Sequence, residues 1–288
     1  MDSVLVLIAA PGSGAISADM VKELTAMGGR FKWLHEGEAM EIELFDKMFA
    51  FGELLRNRPI DVNIVPTSGR RKRVLLADMD STMIQQECID ELGVVAGVGD
   101  KIKGITARAM KGEIDFEGAL KERVGLLKGL DEFIIAKVLL ERITLMEGGL
   151  TLLATMKKNG AYTALVSGGF TAFTSHVAQA LGFDENRANT LLIQDGKLTG
   201  KVALPILGKD AKVESLHRIC GAHGLSADEV LAVGDGANDI PMLQAAGMGV
   251  ALHAKPKVQE QAQFVINHGD LTALLYLQGY AKSDFVSV

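Results

Sequence analysis

Cysteine is scarce in this sequence, and the little there is excludes one architecture. Cys88 and Cys220 lie far apart and form no CxxC pair. A small disulfide-stapled fold is therefore excluded, and a reducing, cytoplasmic compartment is expected. Positive charge is not in excess either: 30 Lys and Arg stand against 36 Asp and Glu, a formal net charge of −6. Nucleic acid is not expected as a partner, because phosphate backbones are bound by excess positive charge. Long apolar runs are missing as well. Val4–Ala10 is the longest near the start, far below the roughly 20 residues that a bilayer span needs. The residues before it include Asp2 and no Lys or Arg, so the positive flank of a secretory signal is lacking. No membrane association is expected. The 32 glycines follow no period, which excludes a collagen-like fibre.

What is present describes a globular chain. Its 288 residues are 48% hydrophobic and 23% charged, too apolar and too weakly charged for disorder. That length has room for two domains with a substantial core. The sharpest break in composition is Thr67-Ser68-Gly69 followed by four basic residues, Arg70 to Arg73. It reads as a solvated linker at a domain boundary rather than a nucleic-acid patch, given the acidic whole. Residues 1–70 then form a small α+β unit. Strands are expected at Val4–Ala9, Ala39–Leu44 and Asp61–Val65, with helices at Ala18–Met27, capped by Ser17, and at Phe45–Arg56.

Residues 71–288 alternate strand and helix, the pattern of a parallel sheet with helical crossovers. Short apolar runs at Val74–Ala77, Tyr162–Val166, Val230–Val233, Gly249–Leu252 and Phe264–Ile266 read as strands buried on both faces. Helices are expected at Thr171–Ala180 and Val213–Cys220. The excursion from 85 to about 147 is helical in period and too long for a plain crossover, so it reads as an inserted helical cap beside the C-terminal edge of the sheet. That edge is where open α/β sheets bind ligands.

Four groups of residues at strand ends or helix starts carry chemistry. Asp78 and Asp80 follow the first strand, spaced so that both carboxylates point the same way. Two acids that close call for a shared proton or a hard cation such as Mg²⁺, although Asp80, Ser81 or Thr82 could also cap the next helix. Ser167-Gly168-Gly169 ends the second strand, either a plain turn or a backbone cradle for an anion. Lys212 is expected to open a helix, where the macrodipole disfavours it unless an anion is near; a surface lysine is the alternative. Gly234-Asp235-Gly236-Ala237-Asn238-Asp239 crowds two acids and an amide into a glycine-rich loop. Asn238 or Asp239 can cap the following helix, which leaves Asp235 to join Asp78 and Asp80 in an oxygen-only cluster suited to Mg²⁺. His176, His217 and His253 show no ligand spacing and read as structural, and Cys88 as a buried small hydrophobe.

In that order, Asp-x-Asp-x-Thr, a strand-terminal Ser, a Lys and Gly-Asp-Gly-x-Asn-Asp make the motif series of the haloacid dehalogenase-like hydrolases. Within them, the stretches 78–87, 116–124 and 233–239 resemble the phosphoserine phosphatase family, over roughly Arg73 to Asp270. The first seventy residues loosely resemble an ACT-like domain. The resemblance implies a Rossmann-like parallel sheet with an inserted cap, and Mg²⁺-dependent hydrolysis of O-phospho-L-serine, the last step of serine biosynthesis. It implies Asp78 as nucleophile and Asp80 as acid and base. Metal would be held by Asp78, the Asp80 carbonyl and Asp235, supported by Asp239. Ser167, Gly168 and Lys212 would hold the phosphoryl group, and Asn238 would orient substrate or cluster. Glu87 and Arg123 match the pair that takes the ammonium and carboxylate of the substrate; on spacing alone they are a first-turn helix acid and one of many cap cations. Met110 and Phe116 fall where the family lines its pocket, or they serve the core. Two other readings stay open: a related small-phosphomonoester phosphatase or phosphotransferase, and a regulator that senses an amino acid through residues 1–70. A homodimer is left open.

Overall fold

The computed structural model describes residues 3–43 and 54–288. Strands β1 (Ser3–Ala9), β2 (Phe31–His35), β3 (Ala39–Glu43) and β4 (Ile60–Pro66) form an antiparallel sheet in the order β2-β3-β1-β4. Strand β1 explains the long apolar run at the start of the chain. Its side chains alternate, so Leu5, Leu7 and Ala9 pack on Met20 and Leu24 of the Ala18–Ala26 helix, while Val4, Val6 and Ile8 join a second core. With both faces covered, the strand is apolar throughout instead of alternating with polar residues. Ser17 caps the helix, accepting from the Met20 N–H at 3.2 Å. Strand β2 was not expected, and the expected Phe45–Arg56 helix lies largely outside the described residues.

A six-stranded parallel sheet follows, in the order β12-β11-β10-β5-β6-β7. Its members are β5 (Val74–Ala77), β6 (Tyr162–Phe170), β7 (Glu185–Asn189), β10 (Val230–Gly234), β11 (Met248–Leu252) and β12 (Phe264–Ile266). Strand β5 lies between β10 and β6, with Leu75 and Ala77 in one core layer and Val74 and Leu76 in the other. The expected α/β class with a parallel sheet therefore holds. Ala77 is in register with both Val233 and Leu165, so the chain leaves β5, β10 and β6 at one edge. Among the described residues, no helix is long and apolar enough to cross a membrane.

Between β5 and β6 the chain forms five helices: Cys88–Val95, Gly99–Met110, Phe116–Gly125 and Phe133–Glu141 make the inserted cap, and Gly149–Lys158 leads back to the sheet. The neck of the cap is closed by backbone bonds from Gln85 to Thr144 (2.9 Å) and from Met146 to Met83 (2.9 Å). An unexpected hairpin, β8 (Leu191–Gln194) and β9 (Lys197–Val202), reaches over from beyond β7. It holds the cap through the bonds Gly129 N–H to Leu198 O, Leu198 N–H to Leu130 O and Glu132 N–H to Gly196 O.

The antiparallel sheet docks on the end of the parallel one through a polar clasp. The Asp61 carboxylate accepts backbone N–H groups from Asn267 (2.7 Å), His268 (3.0 Å) and Gly269 (2.8 Å). The Asn63 carboxamide both donates to and accepts from the Val265 backbone, each at 3.0 Å. The linker at 67–73 is largely exposed, as expected, with Arg71 and Arg73 reaching solvent, but its basic residues are not free. Arg70 is mostly buried and bonds Glu41 at 2.6 Å, Arg71 stacks 4.2 Å from the centre of the Tyr280 ring, and Lys72 donates to the Gly69 and Asp228 carbonyls. Glu41, Tyr280 and Asp228 lie far away in sequence, which is why composition alone could not show these contacts. Replacing Asp61 with Ala strands three amide donors at a buried position. The expected loss is about 2–4 kcal/mol of unfolding free energy, read as a lower urea midpoint.

Candidate active site

The sheet edge gathers the acids. Asp78 leaves β5 with its N–H on the Val233 carbonyl at 3.0 Å, and its Oδ1 accepts the Met79 N–H at 2.8 Å. Asp235 leaves β10 and accepts from the Thr82 hydroxyl at 3.2 Å. Asp239 follows one turn later and accepts the Gly236 N–H at 2.9 Å. Oxygens of Asp78, Asp235 and Asp239 lie within 4.8 Å of one another.

Lys212 sits among them, 1% exposed. Its Nζ bonds Asp78 Oδ1 at 2.8 Å and also donates to Asp239, itself wholly buried. Burial works against the ammonium, but the Asp239 and Asp78 carboxylates outweigh it and hold the group above its ordinary range. The expectation that Lys212 opens a helix is corrected: the helix runs Lys209–His223 and Lys212 lies in its first turn, facing inward. The anion that compensates it is this carboxylate pair. Asp239 likewise stands at the N-cap of Ile240–Ala245, yet its side chain makes no capping bond to that helix.

Asp80 points elsewhere. It is not in the group of acids above, and its Oδ1 accepts the Cys88 N–H at 3.1 Å, so it tethers the first cap helix. Burial, with Glu87 and Asp78 adding repulsion, pushes its carboxyl up to about 8. Asp235 is pushed up to about 6, again by burial first and Asp78 second. Both shifts come first from desolvation, with neighbouring carboxylates adding repulsion. Gly169 is required beside Asp80, because a Cβ there would stand 2.8 Å from the Asp80 carboxylate.

Strand β6 continues through Ser167-Gly168-Gly169 to Phe170, past its expected end at Val166. Ser167 is buried, and its hydroxyl accepts the Gly169 N–H at 2.9 Å. The cap supplies the opposite wall of a cleft of about 700 Å³. Asp78, Asp80, Glu87, Phe116, Arg123, Ser167, Gly168, Asp235 and Asn238 line it. Phe116 packs over Gly168 and Gly208. Glu87 occupies the N-cap of Cys88–Val95 without capping it, and accepts instead from Ser81 at 2.8 Å. Ser81 holds the left-handed region at φ 54°, uncommon for a residue with a side chain. Arg123 donates to the Ala119 carbonyl and Thr106 hydroxyl. The side chain of Met110 lies outside the described residues. Sequence reasoning missed Lys255, which lines the same cleft and whose charge acts on Glu87 and Asp235. It follows β11, and a lysine just past a buried strand's end was the available signal.

Residues 75–244, more than half of the chain, match the haloacid dehalogenase-like hydrolase family. The chain belongs to this family. A haloacid dehalogenase-like hydrolase from Salmonella enterica serovar Typhi superposes over 96% of this chain and 98% of its own, with TM-score 0.84 and 30% identity. The phosphoserine phosphatase of Haemophilus influenzae is 48% identical over 71% of this chain; the match spans 65% of the Haemophilus protein, just under two thirds. A phosphoserine phosphatase solved as an analogue of its phospho-aspartyl intermediate is 41% identical, with TM-score 0.67 over 72% of this chain and 98% of its own.

The donor set at this sheet edge fits a hard divalent cation: oxygen only, buried and net negative. Mg²⁺ added at about 100 times its Kd is expected to stabilise the chain by about 2.7 kcal/mol. The rise in melting temperature should disappear in Asp235→Asn, as scanning calorimetry would show.

Proposed function

We propose that this chain hydrolyses O-phospho-L-serine to L-serine and phosphate. The observation that carries the reading is an opposite-charge pair, Glu87 and Arg123, lining the same cleft as Asp78, the carboxylate that Lys212 holds from behind. The substrate is an ammonium and a carboxylate on one carbon beside a phosphate, and this cleft offers one partner to each. Names borne by relatives support the same assignment.

Asp78 attacks phosphorus through a carboxylate oxygen, and the bond from phosphorus to the serine oxygen breaks. Asp80, two residues on, gives its proton to the departing alkoxide, a poor leaving group without one. The ionised Asp80 then takes a proton from water as that water attacks the aspartyl-phosphate, which frees phosphate and restores both acids. Ser167 and the Gly168 backbone hold phosphoryl oxygens, and Lys212 offers them its ammonium. Asn238 orients the substrate from the loop after β10. Asp78, Asp235 and the Asp80 carbonyl, with Asp239 behind them, would hold Mg²⁺, which would supply charge neutralisation for the phosphoryl group. Phe116 bounds the apolar part of the pocket. Residues 71–288 are the hydrolase unit with its cap at 85–147. Residues 1–70 are an ACT-like unit, the part of the chain where an amino-acid ligand would bind. The reaction belongs to the cytoplasm.

Phosphate release from O-phospho-L-serine, phosphothreonine, phosphoethanolamine and 3-phosphoglycerate tests this directly, with and without Mg²⁺. Phosphoethanolamine lacks the carboxylate and 3-phosphoglycerate the ammonium, so strong preference for phosphoserine is expected. Equal turnover of all four would sink the substrate assignment, and no turnover would favour a sensing role. Asp78→Asn should lower kcat by about 10⁴-fold or more, as removal of other nucleophiles does. Arg123→Ala removes one charged hydrogen bond, so KM for phosphoserine should rise about 10- to 100-fold with a smaller change in kcat.

A further inference from the structure

Asn189 ends β7 and is almost wholly buried. Its carboxamide meets three backbone groups. Nδ2 donates to the Gly168 carbonyl at 2.9 Å and to the Leu207 carbonyl at 3.2 Å, while Oδ1 accepts the Leu207 N–H at 2.8 Å. The orientation is fixed by its partners: two carbonyls require the amide nitrogen and one N–H requires the oxygen. The groups belong to two separate segments. Gly168 lies in the part of β6 that faces the cleft, and Leu207 precedes Gly208, the N-cap of the helix that carries Lys212. One side chain thus ties the glycine segment to the start of the lysine helix.

The tie also shuts the base of the β8–β9 hairpin. The chain leaves Asn189, runs through the hairpin and returns at Leu207, while the far part of the hairpin is bonded to Gly129, Leu130 and Glu132 of the cap.

We propose that Asn189 is a positioning residue for the phosphoryl group: it sets the placement of Gly168 against the helix that presents Lys212. The inference rests on the reading that Gly168 and Lys212 hold phosphate, and it adds a residue that touches no substrate atom. Its signature is selective. Loss of the tie should weaken grip on phosphate and leave the amino-acid end, held by Glu87 and Arg123, as it was.

The two products of the proposed reaction probe those ends separately. In Asn189→Asp, which keeps volume and acceptor but loses both donors, the inhibition constant of inorganic phosphate should rise about tenfold, while that of L-serine stays within about twofold. Asn189→Ala should follow the same pattern. Asn186→Ala, in the same strand but bonded only to Thr174 and Ser175, should move neither constant. An unchanged phosphate constant in both Asn189 variants overturns the proposal. So does a parallel weakening of both inhibitors, which marks a merely structural role. Calorimetric titration of phosphate into the Mg²⁺-loaded protein reads the same loss without turnover. A wild-type chain inactive on phosphoserine therefore overturns the substrate assignment alone, and Asn189 is still judged by phosphate binding.

Discussion

The buried ammonium of Lys212, shared between Asp78 and Asp239, is the interaction on which the site is built. Gathering Asp78, Asp235 and Asp239 at one sheet edge without a cation would be prohibitively repulsive. Lys212 offsets one charge and leaves a deficit that suits a divalent ion. The lysine thus lets the fold assemble a site that stays strongly attractive to a metal. It also explains why Asp78 is held in place: one oxygen is tied to Lys212 and to the Met79 N–H before any ligand arrives.

Topology delivers these groups without special loops. Because β5 lies between β10 and β6 in matched register, residues just past the ends of β5 and β10 and the last residues of β6 become neighbours although 157 positions separate Asp78 from Asp235 in the chain. The cap is inserted at the same edge, which brings Glu87 and Arg123 over the acids. The hairpin then braces the cap from the other side, so the cleft has walls from two distant parts of the chain.

Much of this was legible in the sequence, for identifiable reasons. Buried parallel strands such as Val74–Ala77 announce themselves as short apolar runs, and their ends mark where to look for acids. The inserted cap was visible because its length exceeds what a crossover needs. The misses have equally physical causes. Strand β7, Glu185–Asn189, lies at the sheet edge and is polar, so no apolar run betrays it. The hairpin did carry a signal: Asp195-Gly196, both at positive φ, is the turn pair that joins two such strands. Lys212 was singled out through the helix dipole, whereas its partners come from β5 and the loop after β10. The role of Arg70 depends on Glu41, which only the folded sheet brings near.

Asn63 has a consequence beyond holding two sheets together. Strand β12 ends the parallel sheet, and an end strand presents unpaired N–H and C=O groups that invite other chains to add to it. The Asn63 carboxamide offers Val265 a donor and an acceptor, as a neighbouring strand would, and Asp61 takes up the next three amides in the chain. Two side chains therefore stand in for a seventh strand. The sheet is finished chemically where it stops geometrically, and the N-terminal unit acts as a guard against self-association through that edge.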